Sequence, residues 1–112
     1  MRIAVPVAGD LLSQHFGHSR RFALVDADLE TRTITAVSGI DAPEHQPSLL
    51  PPWLEQQGVN VVIAGGMGSR AKMMFEALAV EVFTGAPEES PEALVRLYLD
   101  GQLVSREVIC EH

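Results

Sequence analysis

The sequence predicts a single α/β domain with a mixed five-stranded sheet and three helices. Its first third holds short β-prone runs, and the rest alternates strand-like and helix-like segments. A chain of 112 residues is long enough to bury one core but not two, so we expect one domain over residues 1–112. The later strands, each joined by a helix, should run parallel with right-handed crossovers.

The first three elements are predicted to be strands. Residues Arg2–Val7 are rich in Ile and Val and too few to nucleate a helix. Two further β-prone runs, 22–25 and 33–37, are separated by the polar segment 28–31, which is typical of a hairpin. A polar loop, 8–20, connects the first strand to this hairpin.

The remaining elements show clear start and stop signals. Pro51 suits a first helical turn, and Gly58 should end that helix. Ser90 is a good N-cap for the last helix, and Gly101 its stop. The predicted elements after the hairpin are therefore a helix from Leu50 to Gln57, a strand over Val59–Ala64, a helix from Ser69 to Leu78, a strand over Val80–Thr84, a helix from Pro91 to Asp100, and a tail or short extra strand over Gln102–His112.

Composition excludes several classes of function. The 15 acidic and 8 basic residues give a formal net charge of −7, which argues against nucleic-acid binding because phosphate contacts need a basic surface. A single cysteine, Cys110, excludes an intramolecular disulfide, a zinc ribbon and a four-cysteine cluster site. No apolar run approaches the roughly 20 residues of a membrane helix, and no signal-peptide core is present. We therefore expect a cytoplasmic protein.

Two loops should meet at one edge of the sheet, because they follow parallel strands whose carboxyl ends face the same way. The first loop carries the imidazoles of His15 and His18, a common kind of metal ligand. The second is a glycine turn, which either offers N–H groups to an anion or only lets a helix pack closely. The candidate ligand-contacting residues are Ser13, His15, Phe16, Gly17, Gly65, Gly66, Met67, Gly68 and Arg70, and the candidate metal ligands are His15, His18 and His45.

The charged residues favour a binding site over a catalytic one. Four of the eight bases flank these loops, which predicts a neutral-to-positive mouth suited to a small anion. They are Arg20, Arg21, Arg70 and Lys72. No acid lies in the first strand, where a two-metal nuclease would need one, and neither Ser13 nor Ser69 has an identifiable base. We therefore expect no enzymatic activity.

Two segments together resemble a known family. They are MRIAVPVAGDLLSQHFGHSRRFALVD, with an SxHFG loop after the first strand, and GVNVVIAGGMGSRAKMMFEALAVEVFTGA, with a GGMGxRA turn. This pattern, over roughly residues 1–98, resembles the dinitrogenase iron–molybdenum cofactor biosynthesis family, which includes NifX and the C-terminal part of NifB. Many relatives have cysteine after FGH, whereas this chain has Ser19, which removes one thiolate ligand.

The resemblance implies a ribonuclease H-like topology without nuclease activity. It also implies transient binding of iron–sulfur or iron–molybdenum–sulfur clusters, with donor and acceptor proteins of nitrogenase cofactor assembly as partners. We expect no membrane and no nucleic-acid partner, and a monomer or weak homo-oligomer. The alternative is a small regulatory or interaction domain that binds a nucleotide or another phosphate ligand at the glycine turn, without metal.

Overall fold

Short apolar runs, buried on both faces in the central strands, form a mixed β-sheet at the centre of the molecule. A computed structural model describes residues 1–43 and 49–105. The strands are β1 (Arg2–Ala8), β2 (Leu11–Leu12), β3 (Arg21–Asp28), β4 (Thr33–Asp41), β5 (Val61–Ile63) and β6 (Glu81–Phe83). The helices are α1 (Leu50–Gln56), α2 (Ser69–Ala77) and α3 (Pro91–Leu99).

The main path of the sheet has the order β4-β3-β1-β5-β6. Strands β1, β5 and β6 are parallel, whereas β3 pairs antiparallel with both β1 and β4. The five predicted strands are therefore all present. The predicted count of five is wrong, however, because Leu11–Leu12 fold back on Val7 and Ala8 as a sixth strand, β2.

One helix covers one face of the sheet, and two helices cover the other. On one face, α3 packs Leu94 and Val95 against Ile3 and Val5 of β1. On the other, α1 and α2 pack their buried side chains over Ala4 and Val62. Both sides of β1 are thereby buried, which explains why its sequence is almost continuously apolar.

The predicted helix boundaries match the structure at their capping residues. Ser90 accepts a hydrogen bond from the N–H of Ala93 through its side chain, with Pro91 in the first turn. Gly58 and Gly101 follow their helices with φ of 82° and 71°, the left-handed conformation that glycine adopts without strain. Residues 101–105 follow α3 without regular structure, and the rest of the predicted tail lies outside the described residues.

Candidate functional site

The loop after β1 and the glycine turn after β5 are joined by backbone hydrogen bonds. The N–H of Phe16 donates to the carbonyl of Gly66 at 3.1 Å, and the N–H of Gly66 donates to the carbonyl of Gln14 at 2.8 Å. His15 and Gly66 thus form a short parallel bridge that extends the β1–β5 pairing beyond the strands. The prediction that these two loops lie side by side at one edge of the sheet is confirmed.

This close approach favours glycine at position 65. A Cβ there would lie 3.2 Å from Oε1 of Gln14 and 3.3 Å from its Cα. Gly65 and Gly66 are both buried, and the N–H of Gly66 is already used in the bridge. Gly65 and Gly66, the first half of the glycine turn, therefore allow the two loops to pack closely.

Two apolar side chains fix the loops to the core. Phe16 is 2% exposed, and its ring makes edge-on contacts with Phe22 and Phe75 at centroid distances of 5.7 and 5.6 Å. Met67 is 1% exposed in the same cluster. The prediction placed both among the ligand-contacting residues, but their buried side chains cannot reach a ligand on the surface. We call Phe16, Gly65, Gly66 and Met67 the anchor.

Exposed residues of the same loops surround the anchor. Gln14, His15 and Gly17 are exposed on the first loop, and Arg70 is exposed in the first turn of α2. Ser13 and Gly68 are partly exposed beside them. We call Gln14, His15, Gly17 and Arg70 the rim.

The start of α2 adds hydrogen-bond donors next to the rim. The helix begins at Ser69, with Gly68 as its N-cap residue in an extended conformation. The first N–H groups of any α-helix have no acceptor within the helix, and they lie at the positive end of its dipole. The second half of the glycine turn is therefore the part that can offer N–H groups to an anion.

Ser19 has a structural role that the sequence did not reveal. Its hydroxyl donates to the carbonyl of His15 at 3.0 Å, and its N–H donates to the carbonyl of Phe16 at 3.2 Å. Ser19 is 9% exposed, so these bonds close the short 3₁₀ turn Phe16–His18 from inside. Ser19 thus helps to hold the backbone of His15 in place.

A third loop, between β6 and α3, also belongs to this edge. The N–H of Gly85 donates to the carbonyl of Gly65 at 2.7 Å, and the N–H of Leu12 donates to the carbonyl of Glu89 at 3.0 Å. The side-chain amide of Gln14 donates to a carboxylate oxygen of Glu88 at 3.4 Å. Sequence analysis missed this loop because it carries no motif, although it follows a parallel strand as the other two do.

The charges at this edge are more mixed than predicted. Arg21 is bound to Asp41 at 2.8 Å, and its guanidinium lies over Gly39. Lys72 lines a cavity beside β6 together with Glu76 and Glu81. Arg20 and Arg70 remain exposed near the loops, while the third loop adds exposed Glu88 and Glu89. Instead of the predicted neutral-to-positive mouth, these loops carry two exposed arginines and two exposed carboxylates.

The described residues contain a single candidate metal ligand on the rim, His15. No group of three or more His, Cys, Asp or Glu side chains within residues 1–43 and 49–105 is placed to hold a metal ion. His45, Cys110 and the side chain of His18 lie outside what the structure describes. Within the described residues, the rim thus offers one imidazole, that of His15, together with the N–H groups at the start of α2.

These features define a small α/β domain whose candidate binding edge is built from loops at the carboxyl ends of three parallel strands. The sequence matches the family described as "Dinitrogenase iron-molybdenum cofactor" over residues 1–101, and the chain belongs to this family. The family resemblance noted in the sequence is thereby confirmed. In the part of the chain that the structure describes, no helix combines the length and apolarity needed to cross a bilayer.

Other proteins resemble this chain in sequence or in fold. Uncharacterized protein MJ0580 of Methanocaldococcus jannaschii is 28% identical over 109 residues, covering 92% of this chain and 89% of its own. The crystal structure of PH0822 superposes with a TM-score of 0.84 at 29% identity, over 92% of each chain. The apo form of the orange protein (ORP) from Desulfovibrio gigas superposes with a TM-score of 0.74 at 22% identity, over 96% of this chain and 93% of its own, which shows a shared fold.

Proposed function

We propose that this protein is a non-catalytic binding or carrier protein for iron–sulfur or iron–molybdenum–sulfur clusters in nitrogenase cofactor assembly. The observation that carries the proposal is the backbone bridge between His15 and Gly66, which fixes an exposed imidazole beside the start of α2. Imidazole is a suitable ligand for an exposed iron, and N–H groups can donate to sulfide. Membership of the family supports this choice of cargo.

The small number of protein ligands is what a carrier requires. A cluster held by several thiolates would be released slowly, whereas one imidazole and a few N–H groups can be exchanged for the ligands of an acceptor. The exposed rim leaves most of a bound cluster accessible to donor and acceptor proteins of cofactor assembly, which we propose as the partners. We also propose a cytoplasmic location, no nucleic-acid partner and a ribonuclease H-like topology, the last supported by the strand order.

Cluster uptake under anaerobic conditions tests the proposal. The full chain is titrated with an iron–sulfur cluster and, separately, with a molybdenum–iron–sulfur cluster, and absorbance, metal and sulfide content are measured after desalting. We expect saturable uptake of one of these clusters and its release to an acceptor apoprotein. Failure to retain either cluster would contradict the proposal.

Calorimetry distinguishes the cluster-carrier proposal from the phosphate-binding alternative. The full chain is titrated with a panel of nucleotides and with inorganic phosphate, in the presence of a chelator. We expect no saturable binding, because the N–H of Gly66 is committed to Gln14 and only the N–H groups at the start of α2 are left for a phosphate. Saturable binding that survives chelation would favour the alternative.

A further inference from the structure

The third loop, residues 84–90, is bonded at both of its ends to the rest of the candidate binding edge. Near its start, the N–H of Ala86 donates to the carbonyl of Ala64 at 3.1 Å. Near its end, the carbonyl of Glu89 accepts the N–H of Leu12 at 3.0 Å. Glu88 therefore lies in a short turn whose position relative to the other two loops is fixed by the backbone.

The side chain of Glu88 contacts the rim through Gln14. The carboxylate of Glu88 accepts a hydrogen bond from the side-chain amide of Gln14 at 3.4 Å. The amide oxygen of the same Gln14 side chain lies over Gly65, since a Cβ at Gly65 would be 3.2 Å from it. Gln14 thus extends from the glycine turn to the third loop, and it directly precedes His15. A carboxylate is therefore held beside the part of the rim that carries the imidazole.

The charge of Glu88 is not cancelled by an ion pair. Among the side chains that the structure describes, the ion pairs are Arg2 with Asp26 and Arg21 with Asp41, so none of the described bases neutralises Glu88 by direct contact. Glu88 is exposed, and it counts among the acids that give the chain its net charge of −7 at pH 7. Its field therefore acts on any group that binds to the rim.

We infer that Glu88 determines which clusters the rim accepts by their charge, and restricts the cargo to clusters of low net negative charge. The inference rests on the proposed function, because it concerns the same rim and the same cargo. A cluster held by His15 lies beside the Glu88 carboxylate. The Coulomb energy is proportional to the product of the two charges, so each further negative charge on the cluster adds to the repulsion. Glu88 is therefore a specificity-determining residue and not a ligand.

Glu88→Gln tests this role because it removes the charge and keeps an oxygen that can accept the hydrogen bond from Gln14. Glu30→Gln is the matched control: it makes the same change in net charge in the exposed hairpin turn, at the opposite end of the sheet. The wild type and both variants, as full chains, are titrated anaerobically with a synthetic thiolate-ligated iron–sulfur cluster. The cluster is used in its dianionic state and in its one-electron-reduced, trianionic state, and absorbance measures the affinity.

The expected effect depends on both the cluster charge and the salt concentration. At about 0.01 M salt, we expect Glu88→Gln to bind the dianion about four-fold and the trianion about eight-fold more tightly than the wild type, or about two-fold for each unit of charge. Glu30→Gln should bind both states as the wild type does. At about 1 M salt, where the Debye length is about 3 Å, most of the difference should disappear, whereas an effect of altered loop structure would persist.

The outcomes separate this inference from the proposed function. If the wild type retains the cluster but Glu88→Gln shows no gain, an equal gain for both charge states, a gain that persists at high salt or a gain shared by Glu30→Gln, the inference is overturned and the proposed function stands. If the wild type and Glu88→Gln both fail to retain either state of the cluster, the proposed function is contradicted and the inference with it. Circular dichroism confirms that each variant is folded.

Discussion

The anchor and the rim lie in the same two loops but differ in almost every physical respect. Phe16 in the anchor is 2% exposed, whereas its neighbour His15 in the rim is exposed. Gly66 in the anchor has its N–H and carbonyl bonded across the loops, whereas the first N–H groups of α2, beside Arg70 of the rim, have no acceptor within the helix. Adjacent residues of these loops thus divide between a folding role and the binding role that we propose.

The largest expected effect is on stability and comes from the anchor. Phe16→Ala should lower the free energy of unfolding by about 3–5 kcal/mol, because it leaves a cavity between Phe22 and Phe75. Urea unfolding measures this loss, and Phe16→Leu, which keeps most of the buried volume, should cost clearly less. A loss under about 1 kcal/mol for Phe16→Ala would show that this ring does not fix the loop.

A smaller loss is expected where the two loops touch. Gly65→Ala brings a Cβ to 3.3 Å from Cα of Gln14, a backbone atom that can yield only if the bridge shifts. We expect a loss of about 1–3 kcal/mol, with a change in amide chemical shifts at His15. Gly9→Ala is a useful comparison, since Gly9 has φ of 66° and open space around it, so its cost should come from the backbone alone and leave His15 unchanged. Unaltered signals from His15 in Gly65→Ala would contradict the close contact.

The smallest effect comes from the opposite edge of the sheet and depends on pH. Arg2 donates to Asp26 at 2.8 Å, and this hydrogen bond holds the pKa of Asp26 below its ordinary 3.8. Its contribution is therefore present above about pH 4 and is lost as the pH falls through the lowered pKa. Because both side chains are more than one-third exposed, solvent screening keeps this contribution below about 1 kcal/mol.

Asp26→Asn tests this dependence. Thermal unfolding from pH 7 to pH 2 should show a smaller acid-induced loss of stability in the variant than in the wild type, with cluster uptake at pH 7 unchanged. Parallel pH profiles for the two proteins would show that the ion pair does not contribute.

Much of the fold could be predicted because each element carries a local signal. Ser90, Pro91 and Gly101 mark the ends of α3, and the apolar runs mark five strands. Strand β2 has no such signal, since Leu11 and Leu12 become a strand only through pairing with Val7 and Ala8. A two-residue strand of this kind is set by tertiary contacts rather than by propensity.

The meeting of the two loops could be predicted, but the contacts of their individual residues could not. The motif showed which loops meet, and topology explained why. The motif could not show that the N–H of Gly66 is bonded within the protein, or that the Ser19 hydroxyl closes the turn below His15. Nor could it show that Glu88 contacts Gln14 from a third loop. These are contacts between residues distant in sequence or buried beneath a turn, and no local pattern encodes them.

The division between anchor and rim is tested most directly by anaerobic cluster titration of His15→Ala, followed by absorbance and metal analysis. Leu29→Ala, at the opposite edge of the sheet, is the control. We predict that His15→Ala loses most of its cluster uptake while its free energy of unfolding stays within about 0.5 kcal/mol of the wild type, as expected for an exposed residue. Uptake by His15→Ala that is identical to that of the wild type would contradict the account.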